Sequence, residues 1–140
     1  MGDINRAAAP RPLHYILDDH GQPVACGDDN ASVLRWAQWF CRNLEQRVVL
    51  RTVIEPYRVS TVFLGLDHRF VGDGPPVLWE TMIFTSREAS PSFGDYQERY
   101  ASRESAVAGH TRAVDAVLAA RRAEDAPTGP HDRFDVGGDS

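Results

Sequence analysis

The sequence predicts one small α+β domain, a single antiparallel sheet of about four to six strands packed against two helices. Three observations carry this. Apolar, β-rich runs crowd the middle of the chain between Arg47 and Phe84; a segment of helical spacing behind capping residues lies on either side; and Gly, Pro and Asp punctuate the intervals.

The first ordered element is a short hairpin, Tyr15-Ile16-Leu17 running through Asp18-Asp19-His20-Gly21 into Gln22-Pro23-Val24. Asp28, Asp29, Asn30 and Ser32 then offer N-cap oxygens to a helix from about 31 to 44, with Val33, Trp36, Ala37, Phe40 and Leu44 on its apolar face. Trp36 and Phe40 read as core anchors, because an amphipathic helix in a small domain must bury such a stripe. Arg47 to Ile54 and Arg58 to Leu66, divided by Glu55-Pro56-Tyr57, form a hairpin. The second of these strands is apolar on both sides, with Val59 and Phe63 on one and Val62, Leu64 and Leu66 on the other, so it belongs in the middle of the sheet. Past the Gly72, Gly74, Pro75, Pro76 loop, Val77 to Phe84 is a third strand, antiparallel to the second.

A polar loop over 86–95 with Pro91 and Gly94 leads to a short edge strand, Tyr96 to Tyr100. Ser102 caps the last helix, Glu104 and Arg121-Arg122 complement its dipole at either end, and Val107, His110, Val114, Val117 and Leu118 form its expected buried face. The domain is therefore expected over 13–122, between a disordered N-terminus, 1–12, and a disordered acidic tail, 123–140, too poor in apolar side chains to order itself.

Composition narrows the function classes. All fifteen cationic residues are arginine, which removes the Walker A lysine, the Schiff-base lysine and the Ser-Lys dyad. Cys26 and Cys41 lack CxxC spacing and read as two reduced, partly buried thiols. No apolar run approaches the roughly 20 residues of a membrane span, and residues 1–12 lack the apolar core of a secretory signal; a cytoplasmic protein is expected. Residues 124–140 hold five carboxylates against Arg133 alone, a net of −4 out of the chain's −5. The near-neutral remainder shows no basic patch, which disfavours nucleic acid as a partner.

Glu80 is the anomalous residue. It interrupts an apolar strand whose same-face neighbours are Leu78, Met82 and Phe84, so its carboxylate needs an arginine partner, a raised pKa or a cavity. Asp67 and His68 close the preceding strand, and His110 faces inward from the last helix. If residue 66 or 67 pairs with Val77, Glu80 comes near Asp67 and His68, and a one-residue change of register decides whether the two carboxylates share a face. Converging, Asp67, His68, Glu80 and His110 would suit a divalent metal or a general acid/base pair, although no HExxH-type spacing is present. Ser60 and Thr61 lack a nucleophile elbow, and Gly72-Asp73-Gly74 is no phosphate cradle.

Three runs, VSTVFLGLDHRF (Val59 to Phe70), GPPVLWETMIF (Gly74 to Phe84) and RYASRESAVAGH (Arg99 to His110), resemble a group of small proteins of tailed bacteriophages and actinobacterial genomes for which no activity is established. The similarity spans Tyr15 to Ala120. It implies a viral or prophage accessory protein acting in the host cytoplasm.

The leading expectation is a non-enzymatic binding protein with a pocket between the sheet and the last helix, lined by Asp67, His68, Trp79, Glu80 and His110. Its partner would be a small ligand, in one version nucleotide-like, or a host protein; the sequence names no cofactor and no oligomeric state. The alternatives are a metal-assisted hydrolase built on Asp67, His68, Glu80 and His110, and a structural or assembly protein.

Overall fold

The computed structural model describes residues 11–86, 93 and 95–126. Most of the expected 86–95 loop, the first ten residues and 127–140 lie outside the described residues, and with them most of both expected disordered ends.

The class is α+β, as expected. β1 (Tyr15–Leu17) and β2 (Pro23–Ala25) form a two-stranded hairpin whose turn is organised by Asp18: its Oδ1 accepts the N–H groups of His20 (2.8 Å) and Gln22 (2.9 Å). Helix α1 (Asn30–Arg42) is capped by Asp29, which accepts the Ser32 N–H. A single helical turn follows, α2 (Leu44–Arg47). Then come β3 (Val48–Ile54), β4 (Tyr57–Phe63), β5 (Trp79–Thr85) and β6 (Gln97–Tyr100), antiparallel throughout in the order β3-β4-β5-β6. Long helix α3 (Arg103–Asp125), capped by Ser102, closes the domain.

Among the described residues, six strands thus divide into two sheets rather than one. The hairpin joins the main sheet only through the irregular segment after β4, where His14 bridges Leu66. The reason is Gly65. Its φ of 76° turns the chain out of the ladder, and a Cβ there would press on the Phe40 ring at 3.0 Å. The Gly65 carbonyl then accepts both the Tyr15 N–H (2.8 Å) and the Trp36 indole N–H (3.1 Å), tying β1 and α1 to the end of β4 through one oxygen.

β4 is the central strand of the pair-wise pattern expected, flanked by β3 and β5. Tyr57, Val59, Thr61 and Phe63 on β4, opposite Thr85, Ile83, Thr81 and Trp79 on β5, form the face that α3 covers. Its apolar members fall into two clusters, one around Phe63, Trp79, Tyr100 and Ala106, the other around Tyr57, Val59, Ile83, Ala113 and Val117.

Two helical faces differ from expectation. On α1 the stripe Val33, Trp36, Ala37 and Phe40 is half-buried as read, but Leu44 lies past the helix end and is 63% exposed, while Trp39 packs edge-on against Phe63. On α3 the buried residues are Ala106, Gly109, His110, Ala113 and Val117, and Val107 and Leu118 face outward. Small side chains let the helix approach the sheet closely, whereas an apolarity ranking favours the bulkier neighbours. The helix also continues to Asp125, and Tyr57 Oη donates to Glu124 Oε2, so the first acidic residues of the expected tail belong to the domain. Arg11, assigned to the N-terminal arm, likewise docks on Asp67. Both cysteines are free, Cys26 half-buried and Cys41 exposed.

Gly109 shows how close the helix comes, because a Cβ built there overlaps the ring and hydroxyl of Tyr100 on β6. Gly to Ala inside a helix ordinarily stabilises by about 0.5–1 kcal/mol. Here overpacking, at roughly 1–3 kcal/mol, reverses the sign. Gly109→Ala is expected to lower stability by about 1–2 kcal/mol in chemical denaturation; an unchanged or raised midpoint would show that Tyr100 moves aside freely.

Candidate functional site

The register decides the fate of the expected site. The Asp67–His68 segment does meet Val77, whose carbonyl accepts the His68 N–H (2.9 Å) and whose N–H is accepted by Asp67 Oδ1 (2.8 Å), but Phe63 pairs with Trp79 and Val62 with Glu80 in the regular ladder before the Gly65 kink. Glu80 consequently lies on the face opposite α3, in line with Val62 on β4 and Arg99 on β6. There Arg99 Nε donates to Glu80 Oε2 at 2.9 Å, and the carboxylate is 7% exposed. The arginine supplies the partner that burial demands.

Asp67 sits beyond the Gly65 kink and is 5% exposed. Its Oδ1 accepts the N–H groups of Arg69 and Val77, each at 2.8 Å, and its Oδ2 accepts Arg11 at 3.0 Å. Burial alone would raise this carboxyl, but those two backbone donors and the Arg11 guanidinium outweigh it and hold the group below the usual carboxylate range. The side chain thus staples the 66–77 loop. His68 Nδ1 donates to the Leu66 carbonyl (2.9 Å), and its ring leans on Phe70.

His110 lies on the covered face, 4% exposed. Its Nδ1 shares a hydrogen bond with Thr61 Oγ1 and its Nε2 with Thr52 Oγ1, both 2.8 Å, and Thr61 Oγ1 meets Thr81 Oγ1 at 2.5 Å. Burial lowers the imidazole pKa, so it stays neutral, with one nitrogen donating and the other accepting. The threonines are what a reading by chemical type misses. Thr61 alternates with Val59 and Phe63 on β4 and Thr81 with Trp79 and Ile83 on β5, and that period-2 pattern was available in the sequence.

The four expected ligands therefore do not converge: Glu80 and His110 stand on opposite faces of the sheet, and Asp67 is consumed by its loop. Among the described residues no group of three or more His, Cys, Asp or Glu side chains is placed to hold a metal ion, which removes the geometric basis of the hydrolase reading.

Trp79 is the exception. Its indole packs edge-on against Phe63, and its ring lines a cleft of about 500 Å³ between the β1–β2 turn and the first turn of α3. Gln22 and Pro23 form one wall; Ser102, Arg103 and Val107 form the other. Trp79 is 3% exposed, and its Nε1 finds no acceptor among the described residues. At a buried position an indole N–H ordinarily has one. This arrangement was illegible in sequence, since it needs the hairpin brought against the helix start, 79 residues along the chain from Pro23 to Ser102.

These features define a class, a four-stranded antiparallel sheet with a helix on one face and a small cleft at that helix's N-terminal end. Comparison with protein-family models, curated proteins and solved structures finds no match to the chain. Among the described residues no helix is long and apolar enough to cross a membrane.

Two outcomes follow for the side chains described. The lowered His110 pKa means that, just below the ordinary value of about 6.5, the unfolded chain binds more protons than the folded one. Its contribution is full above that value and declines as pH falls toward the folded pKa. Thermal melts of the wild type between neutral and mildly acidic pH are expected to show this decline, and His110→Gln is expected to flatten it. Equal slopes would assign the acid sensitivity elsewhere. For Glu80, Arg99 keeps about a third of its surface in water, so Glu80→Gln strands no buried cation and is expected to cost about 1 kcal/mol. A loss near 3 kcal/mol in denaturant titration would mean the pair behaves as fully buried.

Proposed function

We propose that the chain is a non-enzymatic binding protein whose ligand occupies the cleft at Trp79. The supporting observation is that this cleft, about 500 Å³, joins an aromatic wall to the first turn of α3. Its volume falls in the range of small-molecule sites, and its lining combines apolar surface with a few polar groups. Trp79, Pro23 and Val107 offer contact to an apolar or planar body; Gln22, Ser102 and Arg103 offer polar contacts at its rim.

Asp67, His68, Glu80 and His110 drop out of the ligand-contacting set, because each is engaged in holding the fold. On the resemblance drawn from the sequence, the setting is a host cytoplasm and the role that of an accessory protein of viral origin.

Native mass spectrometry of the protein purified gently from cell extract tests this reading. A retained mass of a small molecule is expected on the wild type and is expected to be lost in Val107→Trp, which fills the cleft from an outward-facing helix position without touching the core. Retention undiminished in that variant would move the ligand elsewhere, and no retained mass on the wild type would count against the proposal.

A further inference from the structure

The two edges of the main sheet are built differently. β6 is only four residues long and carries Glu98 and Arg99, with Glu98 engaged by Arg112 at 2.5 Å. Shortness and charge are the devices by which natural sheets discourage further pairing. β3 has neither. It is seven residues long, reads VVLRTVI with a single charge, and exposes 37% of Leu50 and 57% of Val53. Among the described residues, Leu50 to Ile54 make no backbone hydrogen bond outside the ladder to β4.

Two arginines stand on one face beside this edge, with the exposed carboxylate of Glu55 confined to the β3–β4 turn. Arg51 on β3 and Arg58 on β4 are exposed on the face away from α3, in register with Ser60 and Val53 respectively, and Arg58 stacks over the Phe84 ring at 4.6 Å. The carboxylate of that face, Glu80, is already bound to Arg99. On the other face of β3, Leu50, Thr52 and Ile54 point to the side of α3.

We propose that β3 is a docking edge at which an extended segment of a partner protein adds as a fifth strand, with acidic side chains on the Arg51–Arg58 face and apolar side chains on the Leu50 face. Main-chain hydrogen bonds to the free edge supply affinity, and the alternation supplies specificity. Charge complementarity selects the occupant. A second copy of this chain would bring another Arg51 to the edge in place of a carboxylate. A nucleic-acid strand offers no backbone N–H and C=O ladder to complete the sheet. The surface is separate from the Trp79 cleft, and either reading stands without the other.

The test is fluorescence anisotropy with a labelled short peptide alternating glutamate and valine, titrated with the full chain. Three further probes accompany it: the lysine–valine counterpart, the glutamate–valine peptide N-methylated on alternate amides, and an oligothymidylate. Saturable binding of the glutamate–valine peptide is expected, weakened about tenfold by Arg51→Glu and abolished by N-methylation along its pairing edge. Leu50→Lys serves as a second variant should Arg51→Glu fail to fold, and it is expected to weaken binding by setting a charge on the apolar face of the edge. Absence of binding, or binding indifferent to N-methylation and to both variants, overturns the proposal. Binding of the oligothymidylate in its place would assign the arginine face to single-stranded nucleic acid. A concentration-dependent dimer in light scattering that Leu50→Lys dissolves would assign the edge to a second copy.

Discussion

One neutral imidazole fixes how the helix and sheet of this protein meet. His110 stands near the middle of α3, where it faces β3 through Thr52, β4 through Thr61 and, one hydroxyl further, β5 through Thr81. A buried neutral histidine needs one acceptor and one donor, and threonine hydroxyls can act as either. Whichever nitrogen carries the proton, the hydroxyls orient in the matching sense and both ring nitrogens keep a partner. A slide of α3 by one turn would leave the imidazole unpaired in the core, at a cost of about 1–3 kcal/mol for an orphaned group. This polar belt separates the two apolar clusters, with Val59 and Ile83 on one side and Phe63 and Trp79 on the other.

Packing around the belt explains why α3 presents small residues. Ala106, Gly109 and Ala113 bring its backbone close enough for His110 to reach the threonines, and Tyr100 fills the space over Gly109. Larger apolar side chains such as Val107 and Leu118 are displaced to the outward faces. Val107 thereby becomes part of the cleft wall instead of the core.

The Gly65 kink is the second constraint. By leaving the ladder there, the chain ends the regular β4–β5 pairing, gathers β1 and Trp36 onto one carbonyl and hands Asp67 the work of holding the following loop. The same departure places the hairpin turn beside Trp79, so the cleft exists because the sheet stops alternating at residue 65. On the far side of the sheet nothing comparable to α3 covers β3 to β6 among the described residues, where Arg99 pairs with Glu80 and Arg58 stacks on Phe84.

Much of this architecture was legible in the sequence because it depends on local periodicity. The hairpin at Tyr15–Ala25, the central position of β4, the edge strand ending at Tyr100 and the caps Asp29 and Ser102 are encoded by alternation, turn residues and N-cap oxygens within a few positions of one another. The need of Glu80 for an arginine was also readable, since an ionised carboxylate in an apolar strand cannot remain alone. Which arginine answers it was not, for Arg99 is set by the β5–β6 register, and register is a relation between strands. The same holds for the whole candidate site. Asp67, His68, Glu80 and His110 share polarity and proximity in sequence, yet a single left-handed glycine and the two-residue period of a sheet send them to separate places, and the cleft at Trp79 arises from three segments that no local pattern connects. Side-chain type and spacing determine which elements form; only the closing of the chain on itself decides which side chains face one another.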